Sequence, residues 1–285
     1  MVYLLARSSG KADQPAEYSC NMLNNGTGFL PRILAIATNA FREAVRDRIL
    51  YNLILFVLLI TASAIFLGEL TAGQEARVIV NLGLSSILIF GTFISIFVGV
   101  SLVWKEIEKR TVYSIFSKPV GRGEFITGKY LGLCATLFVN VAVMGTGVTL
   151  ALLYVHGGRL ASQVWPAILL IFLELTILTA VAIMFSSFST PALSALLTFF
   201  VFVTGHFSAS LRDLAQEMGS SSARLFFDAI YYLLPNLSHF SFITETSNGM
   251  LPPSPMIGGA VIYAVIYDII LLTATVVIFS RRNFK

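Results

Sequence analysis

The sequence predicts an all-α integral membrane protein with six transmembrane helices, and three observations carry that expectation. Of its 285 residues, 56% are hydrophobic and 12% charged, about half the roughly 25% charge of soluble domains. Mean hydropathy is +0.82. The apolar residues also gather in blocks of about 20, the length of helix that crosses a hydrocarbon core. Irregular backbone cannot satisfy its polar groups against lipid, so each block is read as helix.

Residues 1–29 carry Arg7, Lys11, Asp13 and Glu17 without an apolar core. They are expected to be a disordered tail rather than a signal peptide, with Met22 as a candidate start. Residues 30–285 are expected to form one six-span domain. It opens with an amphipathic helix, since Ile33, Ile36, Ala37, Ala40, Phe41 and Ala44 recur at helical spacing while Arg42 and Arg46 face elsewhere. Two readings stay open for it: a helix lying in the interface, or an extension of the first span.

The spans are placed at about 50–68, 79–103, 130–155, 165–188, 191–209 and 257–280. In the second, Gly91, Ser95 and Gly99 stand four apart, and Gly128 and Gly132 repeat the spacing where the third begins. Small residues so spaced let another helix approach closely. Thr190 and Pro191 suit the N-cap and first position of the fifth helix. Between the fifth and sixth spans, Leu211, Leu214, Ala215 and Met218 form one stripe, and Phe226, Ile230 and Leu233 another. An outer hairpin of two short amphipathic helices is expected there.

Charge sets the orientation. With both termini cytoplasmic, the inner segments hold fifteen of the 19 Lys and Arg residues and the outer ones four, as the positive-inside rule requires. These flanking cations also account for the net charge of +4, so nucleic acid is not implied. Cys20 and Cys134 suggest neither a disulfide framework nor a zinc motif.

One charged island interrupts the apolar blocks. Lys105–Lys129 holds nine of the 34 charged residues, six basic and three acidic, and the orientation puts it in the cytoplasm. Glu106 and Arg110 stand at i, i+4 in the favourable order, which continues the second span as helix. Val112, Ile115 and Phe116 then make a narrow apolar face, rimmed by Lys109, Arg110, Lys118 and Arg122. Pro119 disfavours helix at Lys118, and Gly121 and Gly123 permit a reversal. The expectation is a short amphipathic helix, Thr111–Ser117, parallel to the membrane. Gly123–Lys129 reads GEFITGK and satisfies the phosphate-loop pattern. However, Tyr130 stands where Ser or Thr would ligate magnesium, and no strand precedes the loop. Nucleotide binding by this chain is therefore not expected.

The run EIEKRTVYSIFSKPVGRGEFITGKYLG, Glu106–Gly132, resembles the segment between spans two and three of ABC-2-type ABC transporter permeases. The outer YYLLPNLS, Tyr231–Ser238, is similar to a motif in the branch that includes the permease of nitrous oxide reductase maturation. The six-span layout extends the resemblance over nearly the whole chain from about residue 30. The resemblance implies that Thr111–Ser117 is a coupling helix docked on a separate cytoplasmic ATPase, with Glu106, Arg110, Thr111, Val112, Ile115, Phe116, Lys118 and Arg122 as its coupling residues. It also implies two permease copies, identical or paralogous, with ATP and Mg held on the partner ATPase and no cofactor in this chain. A bacterial or archaeal cytoplasmic membrane and export of an unspecified substrate follow by the same analogy. Helix-in-groove recognition suits such an apolar face; the competing reading is a helix resting on anionic headgroups.

Two carboxylates, Glu174 in the fourth span and Asp268 in the sixth, are expected near the midplane. Such groups need protonation, a partner or water, and they are the candidates for a translocation path. Tyr263, Tyr267, Thr176, Thr179 and Ser101 are their candidate partners; the competing role is a hydrogen bond that fixes packing. His156, His206 and His239 fall at outer span ends without metal-ligand spacing, and are read as interface residues. No catalytic constellation appears, so an enzyme is not expected. Two other functions remain: a proton-coupled secondary transporter using Glu174 and Asp268, or a membrane anchor that recruits a cytoplasmic partner through the island.

Overall fold

A computed structural model describes residues 29–45, 55, 57–63, 65–66, 73–108, 121–208 and 234–281, without the side chains of 29, 45, 102, 103 and 105–108. The expected N-terminal tail, apart from Phe29, and the outer hairpin over 211–233 lie outside the described residues, as does the coupling helix. Every regular element among the described residues is helical. In chain order they are α1 (Phe29–Val45), α2 (helical residues 55, 57–63 and 65–66), α3 (Glu75–Glu108), α4 (Arg122–Tyr154), α5 (Gly158–Ser186) and α6 (Pro191–His206). A 3-10 turn at Leu237–Phe240, the short α7 (Ile243–Ser247) and α8 (Ser254–Arg281) complete the chain.

Among the described residues, four helices, α3, α4, α5 and α8, are long and apolar enough to cross a membrane. They match the expected second, third, fourth and sixth spans. The expected first span corresponds to α2. The fifth corresponds to α6, whose 16 residues rise only about 24 Å, short of a hydrocarbon core of about 30 Å. The helices also extend beyond the expected span boundaries. α4 begins at Arg122 rather than 130, because the Glu124 carboxylate accepts a 2.9 Å hydrogen bond from the Gly121 N–H and closes the helix start. α5 begins at Gly158 and runs through Pro166, tolerable where neighbouring helices shelter the freed carbonyl. Thr190 and Pro191 take the N-cap and first position of α6, but the Thr190 side chain makes no cap bond. Ser194 instead donates back to the Thr190 carbonyl at 2.9 Å.

α5 is the axis of the bundle. It is buried around most of its circumference, whereas α8 is buried on one face. The expected small-residue seam of α3 lies against it. A Cβ on Gly91 would stand 2.4 Å from Leu175 Cδ1, and one on Gly99 3.0 Å from Ala182 Cβ. Two hydroxyls cross the same seam, Ser95 to the Leu175 carbonyl at 3.4 Å and Ser186 to the Val100 carbonyl at 3.1 Å.

The second seam joins α1 to α4. A Cβ on Gly128 would lie 2.7 Å from Ile36 Cβ, and one on Gly132 would lie 2.5 Å from the Ala37 carbonyl oxygen. α1 therefore runs parallel to α4, with position 36 beside 128 and 40 beside 132. Further along, Leu58 of α2 meets Gly147 of α4. This register packs α1 along α4; whether it runs on into the first span is decided by residues 46–54, which lie outside the described residues.

Candidate functional site

The island enters and leaves the described residues at its two ends. Glu106 lies in the last turn of α3, without a described side chain. Arg110, Thr111, Val112, Ile115, Phe116 and Lys118 lie outside the described residues. Arg122, the first residue of α4, turns its guanidinium toward the end of α8. It donates to the Phe279 carbonyl at 3.4 Å and also to the Ser280 carbonyl. A cation at these last carbonyls satisfies groups the helix leaves orphaned and opposes its dipole.

The phosphate-loop lookalike is not a loop. Gly123–Lys129 forms the opening turns of α4. Lys129 is 2% exposed and donates to Glu43 of α1 at 3.5 Å, and its ammonium lies 6.0 Å from the Phe125 ring centre. Arg32 of α1 stands 3.9 Å from Glu124. Two ion pairs thus flank the Gly128–Gly132 seam, and the side chain that would have touched phosphate holds α1 instead.

The carboxylates expected in the translocation path lie on different sides of the axis. Asp268, 8% exposed on α8, faces the hydroxyls of Tyr130 on α4 and Thr176 on α5. Glu174, 1% exposed on α5, faces His206 of α6 at 3.3 Å. That distance is close enough for an ion pair, but the angles do not make a hydrogen bond. Both Glu174 oxygens, both His206 ring nitrogens and Asp268 Oδ1 have no hydrogen-bond partner among the described residues. The reading of His206 as an outer interface residue is thereby corrected: the short α6 brings its last residue back against the axis helix. Of the other expected partners, Thr179 donates to the Leu175 carbonyl and Ser101 to the Val98 carbonyl. Among the described residues, no group of three or more His, Cys, Asp or Glu side chains could hold a metal ion.

Beside this layer, the Leu234–Ser238 stretch folds onto α6 and α8. The Asn236 side-chain carbonyl accepts bonds from Ser208 at 2.7 Å and from Ser238, and its backbone N–H donates to the Tyr263 hydroxyl at 2.9 Å. Gly205 has no side chain where Leu237 and the Pro235 carbonyl come within 2.8 Å of a Cβ position. The motif thus roofs α6 immediately beside His206.

The sequence model of the family described as ABC-2 family transporter protein matches residues 34–284, nearly the whole described bundle. The chain belongs to the ABC-2 transporter family. No curated protein matches the sequence well enough to be counted a relative. Family membership together with the four apolar spanning helices makes the chain an integral membrane protein and a transporter component. Such components are generally not catalytic themselves. The match starts at Leu34, so most of α1 lies within the family domain.

Two features of the site escaped sequence reasoning. The Glu174–His206 pairing had no local signal, because 32 positions separate the two residues. The early start of α4 did have one: Gly121 and Glu124 stand at the spacing of a capping box.

Proposed function

We propose that this chain is the membrane-spanning permease subunit of an ABC transporter, with six spans and cytoplasmic termini in a bacterial or archaeal cytoplasmic membrane. It works as a pair of copies, identical or paralogous, driven by a separate cytoplasmic ATPase. The observation that carries this reading is the family match over residues 34–284, with a basic island between the inner ends of α3 and α4. In this reading ATP and Mg are bound by the partner. The Thr111–Ser117 helix passes the closure of the ATPases into the bundle, which alternates between inward and outward access. Export is the direction we favour.

Two arrangements in the bundle support the reading. The island continues directly into α4, and α4 is fastened to α1 by two ion pairs and to α8 by Arg122. Movement of the island would therefore reach three helices at once. Glu174, with both oxygens unpartnered among the described residues, and Asp268, with Oδ1 unpartnered among them, are the groups we place on the translocation path.

The test is co-purification. Replacing Ile115 and Phe116 together by Asp should abolish association with the ATPase while leaving membrane insertion intact. Undiminished ATPase recovery with the double variant would defeat the proposal. Transport that follows a proton gradient without ATP would replace it with a secondary transporter.

A further inference from the structure

The seam between α1 and α4 opens, on the outer surface of the bundle, into a groove of about 640 Å³. Its volume lies in the range of about 300–1,000 Å³ typical of ligand sites. Leu34, Thr38 and Phe41 form one wall, Leu131, Ala135 and Phe138 the other, with Phe172 of α5 behind. Phe138 and Phe172 meet edge to face at 5.6 Å. Gly132 also lines the groove, because its missing side chain lets α1 come close enough to make the wall. The only side-chain heteroatoms on the lining are the Thr38 hydroxyl, which donates to the Leu34 carbonyl at 2.8 Å, and the Cys134 thiol. So apolar a cleft has nothing to hold ordered water, which needs two to four polar partners. In a membrane chain, its matching occupant is hydrocarbon.

Charge says which lipid. Arg42 lies one turn beyond Thr38 on α1, and residues four apart share a helix face. It is exposed and makes no ion pair with any described residue, while its neighbours on the seam, Arg32 and Lys129, have carboxylates beside them. The orientation read from the Lys and Arg distribution puts α1 on the cytoplasmic side, where anionic lipids attract basic side chains. We infer that the groove between α1 and α4 is a binding site for one anionic phospholipid, with an acyl chain between the helices and the phosphate at Arg42. The site rests on membrane residence and on that orientation, and would stand even if the ATPase coupling proposed above failed.

Native mass spectrometry of the full chain, incubated in detergent with equal palmitoyl-oleoyl phosphatidylglycerol and phosphatidylcholine, tests this. The wild type should retain one tightly held lipid, favouring phosphatidylglycerol by about five-fold, the discrimination one basic residue supplies. Arg42→Ala should keep a lipid but level the two headgroups. Ala135→Trp, which fills the groove, should release both lipids. Thr38→Trp acts from the exposed side of α1 and keeps the test open if Ala135→Trp fails to fold. Equal retention of the two headgroups by the wild type would overturn the inference, as would full lipid retention by a folded groove-filling variant. So would loss of a chain dimer in the filled variants, which would make a second copy the occupant.

Discussion

Replacing Gly132 by Ala should loosen α1 from the bundle, and the structure sets the size of the effect. A Cβ there would stand 2.5 Å from the Ala37 carbonyl oxygen, 2.7 Å from Ala40 Cβ and 3.1 Å from the Phe41 nitrogen. Two of those three atoms are backbone and the third is fixed to it, so no rotamer change relieves the clash. Overpacking of this kind costs about 1–3 kcal/mol. The helix propensity of Ala over Gly returns about 1 kcal/mol, but it does so whether or not α1 is docked. The docking equilibrium should therefore fall by a factor of roughly 5–150. Gly259→Ala is the matched control, because nothing lies within 4 Å of its Cβ position. The assay pairs Cys134 with Thr38→Cys, two positions on the same groove, in a Cys20→Ser background. A short bifunctional maleimide should join them efficiently in the parent and the Gly259→Ala control, and poorly in Gly132→Ala. If Gly132→Ala cross-links as fully as the control, the register of α1 on α4 deduced from these contacts is wrong.

Two further outcomes follow from the layer around His206 and Asn236. His206→Leu and Glu174→Leu should each lower the melting temperature in nanodiscs, since each leaves the other buried group without the polar neighbour that stands 3.3 Å away, at a cost of about 1–3 kcal/mol. The double variant should be more stable than the sum of the two losses, and strict additivity would show that the groups do not interact. Asn236→Ala removes the acceptor shared by Ser208 and Ser238. Hydrogen exchange should then quicken over 234–240 and at the end of α6, and unchanged protection would mean that the roof is held by Leu237 packing alone.

The parts of this fold that could be read from the chain are those written in local spacing. Gly91, Ser95 and Gly99 announce a close helix contact at four-residue intervals, and Gly128 with Gly132 announces another. Neither pair says which helix arrives: the first receives α5 and the second α1. Lys129 shows the opposite failure. Its place in GEFITGK suggests phosphate, whereas its Glu43 partner lies 86 positions away on a helix the motif does not contain. His206 was misplaced for a related reason. A fifth span drawn to 209 puts it at the rim, but α6 stops at His206 under a roof supplied by residues 234–238. Charge distribution supports an expectation of sidedness because it is a sum over the chain. Buried pairing is a property of two residues brought together by every helix between them, and no window of sequence contains it.

The bond from Arg122 to the last carbonyls of α8 has a practical consequence for handling the protein. It holds the first turn of α4, where the island re-enters the described helices, against the last turn of α8. A folded domain joined directly behind Arg281 would crowd that junction and compete with Arg122 for space at the helix end. An affinity tag or fluorescent protein placed after α8 therefore needs a long Gly/Ser spacer, which behaves as a flexible coil and keeps the attached domain away from the start of α4.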